Sequence, residues 1–314
     1  MTNIEAQKGD ALMDFRELNY VLAIAKYQNI TRAADALFVG QPTLSKFLSG
    51  LEKDLGLRLF NRLGRKYVPT YAGQRYIEKA EQILLLKEDL DTEMRDILRH
   101  DEGVLNVAFA SMRCSALLPH VLPQFERFHP NIKVNIQEGN STENDQRLLS
   151  GETDVAFYTQ TDTHEQLDYH PLSEEQLLIC TCHAHPIRAK AQIIPGETYP
   201  CLSLSCLAGE RVLLMHPTQR TRQIVNRLLD SAGITLENTL CTSSMSAIIG
   251  LVSAGYGISL LLDSHLMHSP EFASLDCYSI DSPQTRCRFV AATRKGSYVS
   301  ASARDFIELV RNCL

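Results

Sequence analysis

The sequence predicts an α/β protein with an N-terminal all-α winged helix-turn-helix head and a long helix between head and body. Three observations predict it. Residues 30–51, ITRAADALFVGQPTLSKFLSGL, carry a helical apolar period on both sides of a tight break. Residues 73–100 form one proline-free stretch rich in Glu, Lys, Leu and Arg. From Gly103 onward, short apolar or alternating runs are interleaved with helical ones, the pattern of layered α/β packing.

The first helix of the head is expected over residues 31–37, with the Thr31 hydroxyl as its cap. Ala33 and Ala34 are small enough for another helix to approach, and Phe38-Val39-Gly40 makes the turn. The second helix opens at Gln41-Pro42, where proline is tolerated because a first-turn N–H has no helical partner. Leu44, Leu48 and Leu51 share one face, which turns Gln41, Thr43, Ser45, Lys46 and Ser49 outward. Leu18, Leu22, Leu37 and Leu55 complete the expected core. A short helix anchored by leucines and polar near its start suits a DNA major groove. The local pattern equally suits a plain three-helix subdomain with a solvated polar face.

Residues 59–70 read as a hairpin on which Arg62, Arg65 and Lys66 cluster without a nearby acid. That is a wing for phosphates or the minor groove, or else a solvated turn. In residues 73–100, Tyr76, Ile83, Leu90 and Ile97 recur every seven positions, and Ala80 and Met94 widen the stripe. A helix this long is stable only where such a stripe is buried, which argues for a dimer.

In the body, strands are expected at 104–109, 133–138, 155–158, 177–182, 212–215, 258–262 and 288–293. Helices are expected at 114–129, 146–150, 221–232, 244–254 and 301–314. The uncharged run 238–262 is long enough to raise a membrane span, but Gly250, Gly255 and Gly257 fit a helix, a turn and a strand better.

The net charge of −6 is unevenly spread. Residues 13–75 hold 10 basic and 5 acidic side chains, and the remainder is strongly acidic. A basic head on an acidic body is what a nucleic-acid-binding module attached to another domain requires. Residues 1–12 lack a basic start and an apolar core, so they read as a disordered extension or an upstream start rather than a secretory signal, and a cytoplasmic location is expected. Nine cysteines then read as thiols. Cys180-Thr-Cys182-His183-Ala-His185 has some look of a metal cluster, but a strand there places Cys180 in the core, so no metal and no cofactor are expected. Cys201 and Cys206 lie in a Ser/Leu-rich loop, where they could form a redox pair.

The head resembles that of the LysR-type transcriptional regulators. Met13-Asp14-Phe15-Arg16-Glu17-Leu18, Ala33-Ala34, Gln41-Pro42-Thr43-Leu44-Ser45-Lys46, the run from Leu51 to Arg62, and Pro69-Thr70-Tyr71-Ala72-Gly73 keep that family's order and spacing. Gly40 replaces a common Ser, Phe47 takes a commonly polar site, and Gly50 costs the second helix about 1 kcal/mol relative to alanine. Looser motifs of the family's effector domain follow: Leu117-Leu118-Pro119, Glu138-Gly139, residues 151–156 and residues 253–258.

The resemblance implies a linker helix that pairs with its copy, and a two-lobed body like the type 2 periplasmic binding proteins. The expected domains are the extension 1–12, the winged head 13–70, the linker 71–101 and the effector domain 103–314. Lobe I is expected at 103–162 and 268–314, and lobe II at 163–267. The DNA-facing residues would be Thr31, Arg32, Gln41, Pro42, Thr43, Ser45, Lys46, Arg62, Arg65 and Lys66. The effector-facing ones would be Ser111, Met112, Arg113, Asn140, Ser141, His216, Thr218, Gln219, Ser243 and Ser244, at helix starts that suit a small polar or anionic molecule. The implied partners are a two-fold-related promoter site, a homodimer paired into a tetramer, and RNA polymerase. The peroxide-sensing branch of that family places its reactive cysteine after the strand here read as 212–215, where this chain has Thr218 and Gln219 and no cysteine nearby. A rival reading is an enzyme or solute-binding protein with an accessory helical head. The sequence offers no phosphate loop, nucleophile elbow or paired-carboxylate site for the enzyme.

Overall fold

The computed structural model describes residues 14–98, 102–266 and 273–314, with backbone alone at Ser111 and Met112. The expected extension 1–12, Met13 and the boundary at His268 lie outside the described residues. The chain divides into two compact units, one ending at Met94 and the other beginning at Arg95.

In the head, α1 (Phe15–Tyr27) opens with a capping box between Asp14 and Glu17. The cap of α2 (Ile30–Ala36) is Asn29, not Thr31. Asn29 is extended, so its side-chain oxygen accepts from Thr31 N at 3.0 Å and Arg32 N at 3.1 Å, while Thr31 is already helical. Phe38 turns the chain at φ 54°, the left-handed region, so that α3 (Gln41–Leu55) can cross α2. Leu44 and Leu48 bury against Val21, Ile24, Ala33 and Ala34. Leu55, expected in the core, is 42% exposed, because the last turn of α3 runs past the head before Gly56 ends it.

The hairpin β1 (Phe60–Leu63) and β2 (Lys66–Pro69) pairs Phe60 with Pro69 and Leu63 with Lys66. It is anchored at its base. Glu52 Oε1 accepts from Leu59 N at 2.7 Å and Phe60 N at 3.0 Å. Thr70 Oγ1 donates to the Arg58 carbonyl at 2.6 Å and accepts from Gly73 N at 3.0 Å. A Cβ on Gly73 would overlap the Leu59 carbonyl. The Thr-x-x-Gly spacing therefore lets the start of α4 (Tyr71–Ile97) touch the strand entering the wing. Tyr76 and Ile77 pack on the head core and Ala80 is buried, whereas Ile83, Leu86, Leu90 and Met94 face out.

The body alternates β3 (Gly103–Ala110), α5 (Ser111–Phe128), β4 (Ile132–Gly139), α6 (Ser141–Ser150), β5 (Val155–Gln160) and β6 (Leu167–Cys182). Next come β7 (Cys201–Leu202), β8 (Arg211–Met215), α7 (Arg220–Ala232), β9 (Asn238–Thr242), α8 (Met245–Ser253) and β10 (Ile258–Leu262). The chain ends with α9 (Asp263–Leu266), β11 (Leu275–Ile280), β12 (Arg286–Arg294) and α10 (Ala301–Asn312). The strands run β4-β3-β5-β12-β6-β10-β8-β9, with β11 beside β6 and β7 beside β11.

Strand β6 belongs to both lobes. From Leu167 to Gln176 it pairs with β12, and beyond Leu177 it pairs with β10 and β11. Strand pairing therefore puts the outward crossing near Gln176 and Leu177, well after the Asp162 expected from sequence. By pairing, β11 belongs with the later half of β6 and β12 with its first half, so the return lies between them. The first half of β6, β9 and β11 were not expected as strands. Pro171, Glu174 and Glu175 break the apolar pattern of β6, and a bulge opposite Phe289/Val290 absorbs the proline that cannot donate.

Lobe I packs Phe109, Phe125, Phe157, Phe289 and Phe306 together. Lobe II buries both faces of its sheet, under α7 on one side and α8 on the other. The uncharged run resolves into β9, α8 and β10, and no helix among the described residues is long and apolar enough to cross a membrane. Gly73→Ala is expected to destabilise the head by about 1–3 kcal/mol through backbone overlap, read as a lowered midpoint in urea unfolding of the full chain.

Candidate DNA interface and effector cleft

The start of α3 is built to present donors. Gly40 supplies no side-chain cap and Pro42 has no N–H, so first-turn amides are left without a side-chain partner. Gln41, Pro42, Thr43 and Lys46 are exposed around that turn, and Ser45 is half-buried. Phe47 instead turns inward, its ring edge-on to Tyr20 at 5.1 Å. Thr31 and Arg32 are exposed at the start of α2, with the Arg32 guanidinium 5.9 Å from the Tyr27 ring. On the wing, Arg62, Arg65 and Lys66 are all exposed around Gly64, and Arg62 Nε donates to the Gly64 carbonyl at 3.2 Å.

In the body, each nominated loop follows the C-terminal end of a parallel strand, where α/β sheets bind ligands. Ser111, Met112 and Arg113 form the first turn of α5, which has no side-chain cap. Asn140 caps α6 in a box with Glu143, and Ser141 is buried behind it. His216 Nδ1 lies 3.0 Å from Thr218 Oγ1, and Gln219 Nε2 donates to the Ser243 carbonyl at 3.1 Å. Ser244 caps α8. The geometry thus joins the two lobe II loops directly. The lobes meet where Arg220, first residue of α7, lies 3.3 Å from Asp162 and 3.9 Å from Asp145 on α6. Arg227 adds a second tie to Asp162 at 3.0 Å. Tyr158 donates to Asp145 at 2.5 Å, and burial raises the Asp145 carboxyl against the pull of Tyr158 and Arg220.

The sequence matches the family description "LysR substrate binding domain" over residues 98–313 and "Bacterial regulatory helix-turn-helix protein, lysR family" over residues 15–74. The chain belongs to the LysR family of transcriptional regulators. It is 25% identical over 298 residues to the HTH-type regulator YybE of Bacillus subtilis, spanning 95% of this chain and 98% of that protein. It is 27% identical to the DNA-binding dual regulator OxyR of Escherichia coli over 79% of each chain. Full-length OxyR from Pseudomonas aeruginosa superposes with a TM-score of 0.69 at 23% identity, covering 97% of this chain and 96% of that one. CbnR, solved with its target DNA, gives 0.55 at 24% identity over 96% and 100%.

Within this LysR regulator, Arg113 differs from its expected role. It is 3% exposed and ion-paired with Glu175 of β6. Its Nη2 also donates to Ser264 Oγ at 2.6 Å, and its guanidinium lies 4.3 Å from the Phe289 ring. Thr159 Oγ1 donates to Glu175 at 2.7 Å. Burial pulls Arg113 down to about 10 against the opposing charge of Asp263, which still leaves it a cation at neutral pH. Arg222, in the first turn of α7, donates to the Met215 carbonyl at 3.0 Å and to Asn226 at 2.7 Å. Arg113, Arg220 and Arg222 therefore all have protein partners.

Sequence reasoning missed Glu175, Ser264, Asp145 and Asp162, because their partners lie between 13 and 151 residues away. The possible metal ligands disperse. Cys180 is in the core, His183 pairs with Asp276 at 2.7 Å, and His185 faces Glu210 at 3.5 Å. No group of three such side chains among the described residues is placed to hold a metal. Arg113→Ala should leave Glu175 buried and unpaired and cost about 3–5 kcal/mol. The double change Arg113→Met with Glu175→Leu should recover most of that in equilibrium unfolding. Equal losses in the single and double variants would contradict the pairing.

Proposed function

We propose that α3 reads a two-fold-related promoter site while the wing grips its backbone. The observation that carries this reading is the uncapped, exposed start of α3 beside three exposed wing cations. Gln41 contacts a base edge, with adenine the best match to its amide, and Thr43 a thymine methyl. Ser45, Lys46, Thr31 and Arg32 hold the phosphates flanking the groove, together with Arg62, Arg65 and Lys66.

The effector is a small polar molecule bound between the lobes by the loops at Ser111 and Met112, Asn140 and Ser141, His216 to Gln219, and Ser243 and Ser244. With the arginines engaged elsewhere, the backbone donors at the side-chain-uncapped starts of α5 and α7 supply the attraction for an acceptor-rich group such as a carboxylate. Ligand binding shifts the lobes only by its difference in affinity between their arrangements, and the Arg220 and Arg227 ties to Asp145 and Asp162 are the contacts it would rearrange. The protein acts in the cytoplasm as a dimer, paired into a tetramer, beside RNA polymerase.

Two measurements test this reading. Gln41→Ala should lose about 1–3 kcal/mol on the specific site and little on random DNA, whereas Arg65→Ala should weaken both alike; equal losses for Gln41→Ala on the two sequences would remove base readout. Ile83→Glu would put a carboxylate into the apolar stripe of α4, where desolvation is costly. It should abolish the dimer in light scattering, and a variant still dimeric would move the contact elsewhere.

A further inference from the structure

Strands β6 and β11 set two thiols against each other. In their antiparallel register, Cys277 stands directly opposite Cys180, and the sulfurs are 3.8 Å apart. Directly opposed residues of such a ladder have Cα atoms about 4.5 or 5.5 Å apart. Both spacings fall inside the roughly 4.4–6.8 Å that a disulfide spans. Side-chain rotation alone can therefore close the bond. All nine cysteines of the chain are free thiols, and in this pair the environments differ. Cys180 is fully buried, while Cys277 keeps 9% of its surface open.

We propose that Cys180 and Cys277 form a reversible disulfide on exposure to hydrogen peroxide. Cys277 meets the oxidant and Cys180 resolves it. Apolar neighbours, among them Met245, Ile248 and Leu275, wall the pair and favour a small oxidant over a bulky disulfide. The hydrogen bond between the two sulfurs holds the Cys277 thiol below the ordinary range, and the same contact raises Cys180.

In the first step the Cys277 thiolate attacks one peroxide oxygen. The O–O bond breaks, and the departing hydroxide takes up the proton that Cys277 released, leaving as water. Cys277 is now a sulfenic acid. The Cys180 sulfur then attacks the Cys277 sulfur, the S–O bond breaks, and hydroxide leaves as water with the Cys180 proton. Two thiols and one peroxide become one disulfide and two waters. This pair is separate from Cys201 and Cys206, and from the loop after β8. The bond would pin β11 to the strand that both lobes share.

The test treats the full-length protein with hydrogen peroxide, alkylates it unfolded without reduction, and maps the peptides by mass spectrometry. The expected result is a loss of two of the nine alkylatable thiols, a Cys180–Cys277 linked peptide, and recovery of both thiols with dithiothreitol. Cys180→Ser and Cys277→Ser should each abolish the link, and Cys241→Ser, at the exposed cysteine, should leave it unchanged. Mapping on the unaltered chain does not depend on the variants folding. Nine thiols surviving treatment, oxidation confined to other cysteines, or Cys277 over-oxidised with Cys180 still alkylated would each overturn the proposal.

Discussion

A single strand carries both lobes of the body. Because β6 pairs with β12 in one half and with β10 and β11 in the other, neither lobe can slide along it without breaking a ladder. A one-residue slip would exchange the two faces of every side chain on the strand. Relative motion of the lobes is thereby limited to bending and twisting near Gln176 and Leu177. The helix starts at the strand ends are mounted on strands tied to this axis, so a small rotation there alters the distance between the loops of the two lobes.

The charges near the axis belong to two classes. Arg113 and Glu175 are dehydrated, each takes one hydroxyl partner, and they hold α5 to β6 and to Ser264. Arg220 and Arg227 reach across to Asp162 from α7 in a wetter setting, where each pair contributes little and is screened by salt. The buried pair acts as a fixed joint and the outer pairs as contacts that can be exchanged. A site meant to respond to a ligand needs both, since a joint that loosens would spread the motion through the lobe.

Much of the head is legible in the sequence because its signals are local. Two helices and a hairpin fit within forty residues, and the leucines at 44 and 48 do what their spacing implies. Where the structure differs, a neighbouring residue competes for the same role. Asn29 takes the cap expected of Thr31. The body is legible as alternating strands and helices. Its crossing points are not, because pairing partners such as β6 and β12 are more than a hundred residues apart and the joining strand carries charges and a proline. The loops after the strand ends can be located from the same alternation. Which arginine is free cannot, because the carboxylates that claim Arg113 and Arg220 are set by the tertiary fold alone.

The open side of α4 has a consequence for supply. One chain alone leaves Ile83, Leu86, Leu90 and Met94 wet. If a second copy covers them, the amount of DNA-competent species grows with the square of chain concentration while monomers predominate, and linearly once they are scarce. Occupancy of a promoter would then have a threshold set by synthesis and turnover of the protein. A regulator built this way would be silenced by growth that outruns its synthesis, with no change in its signal.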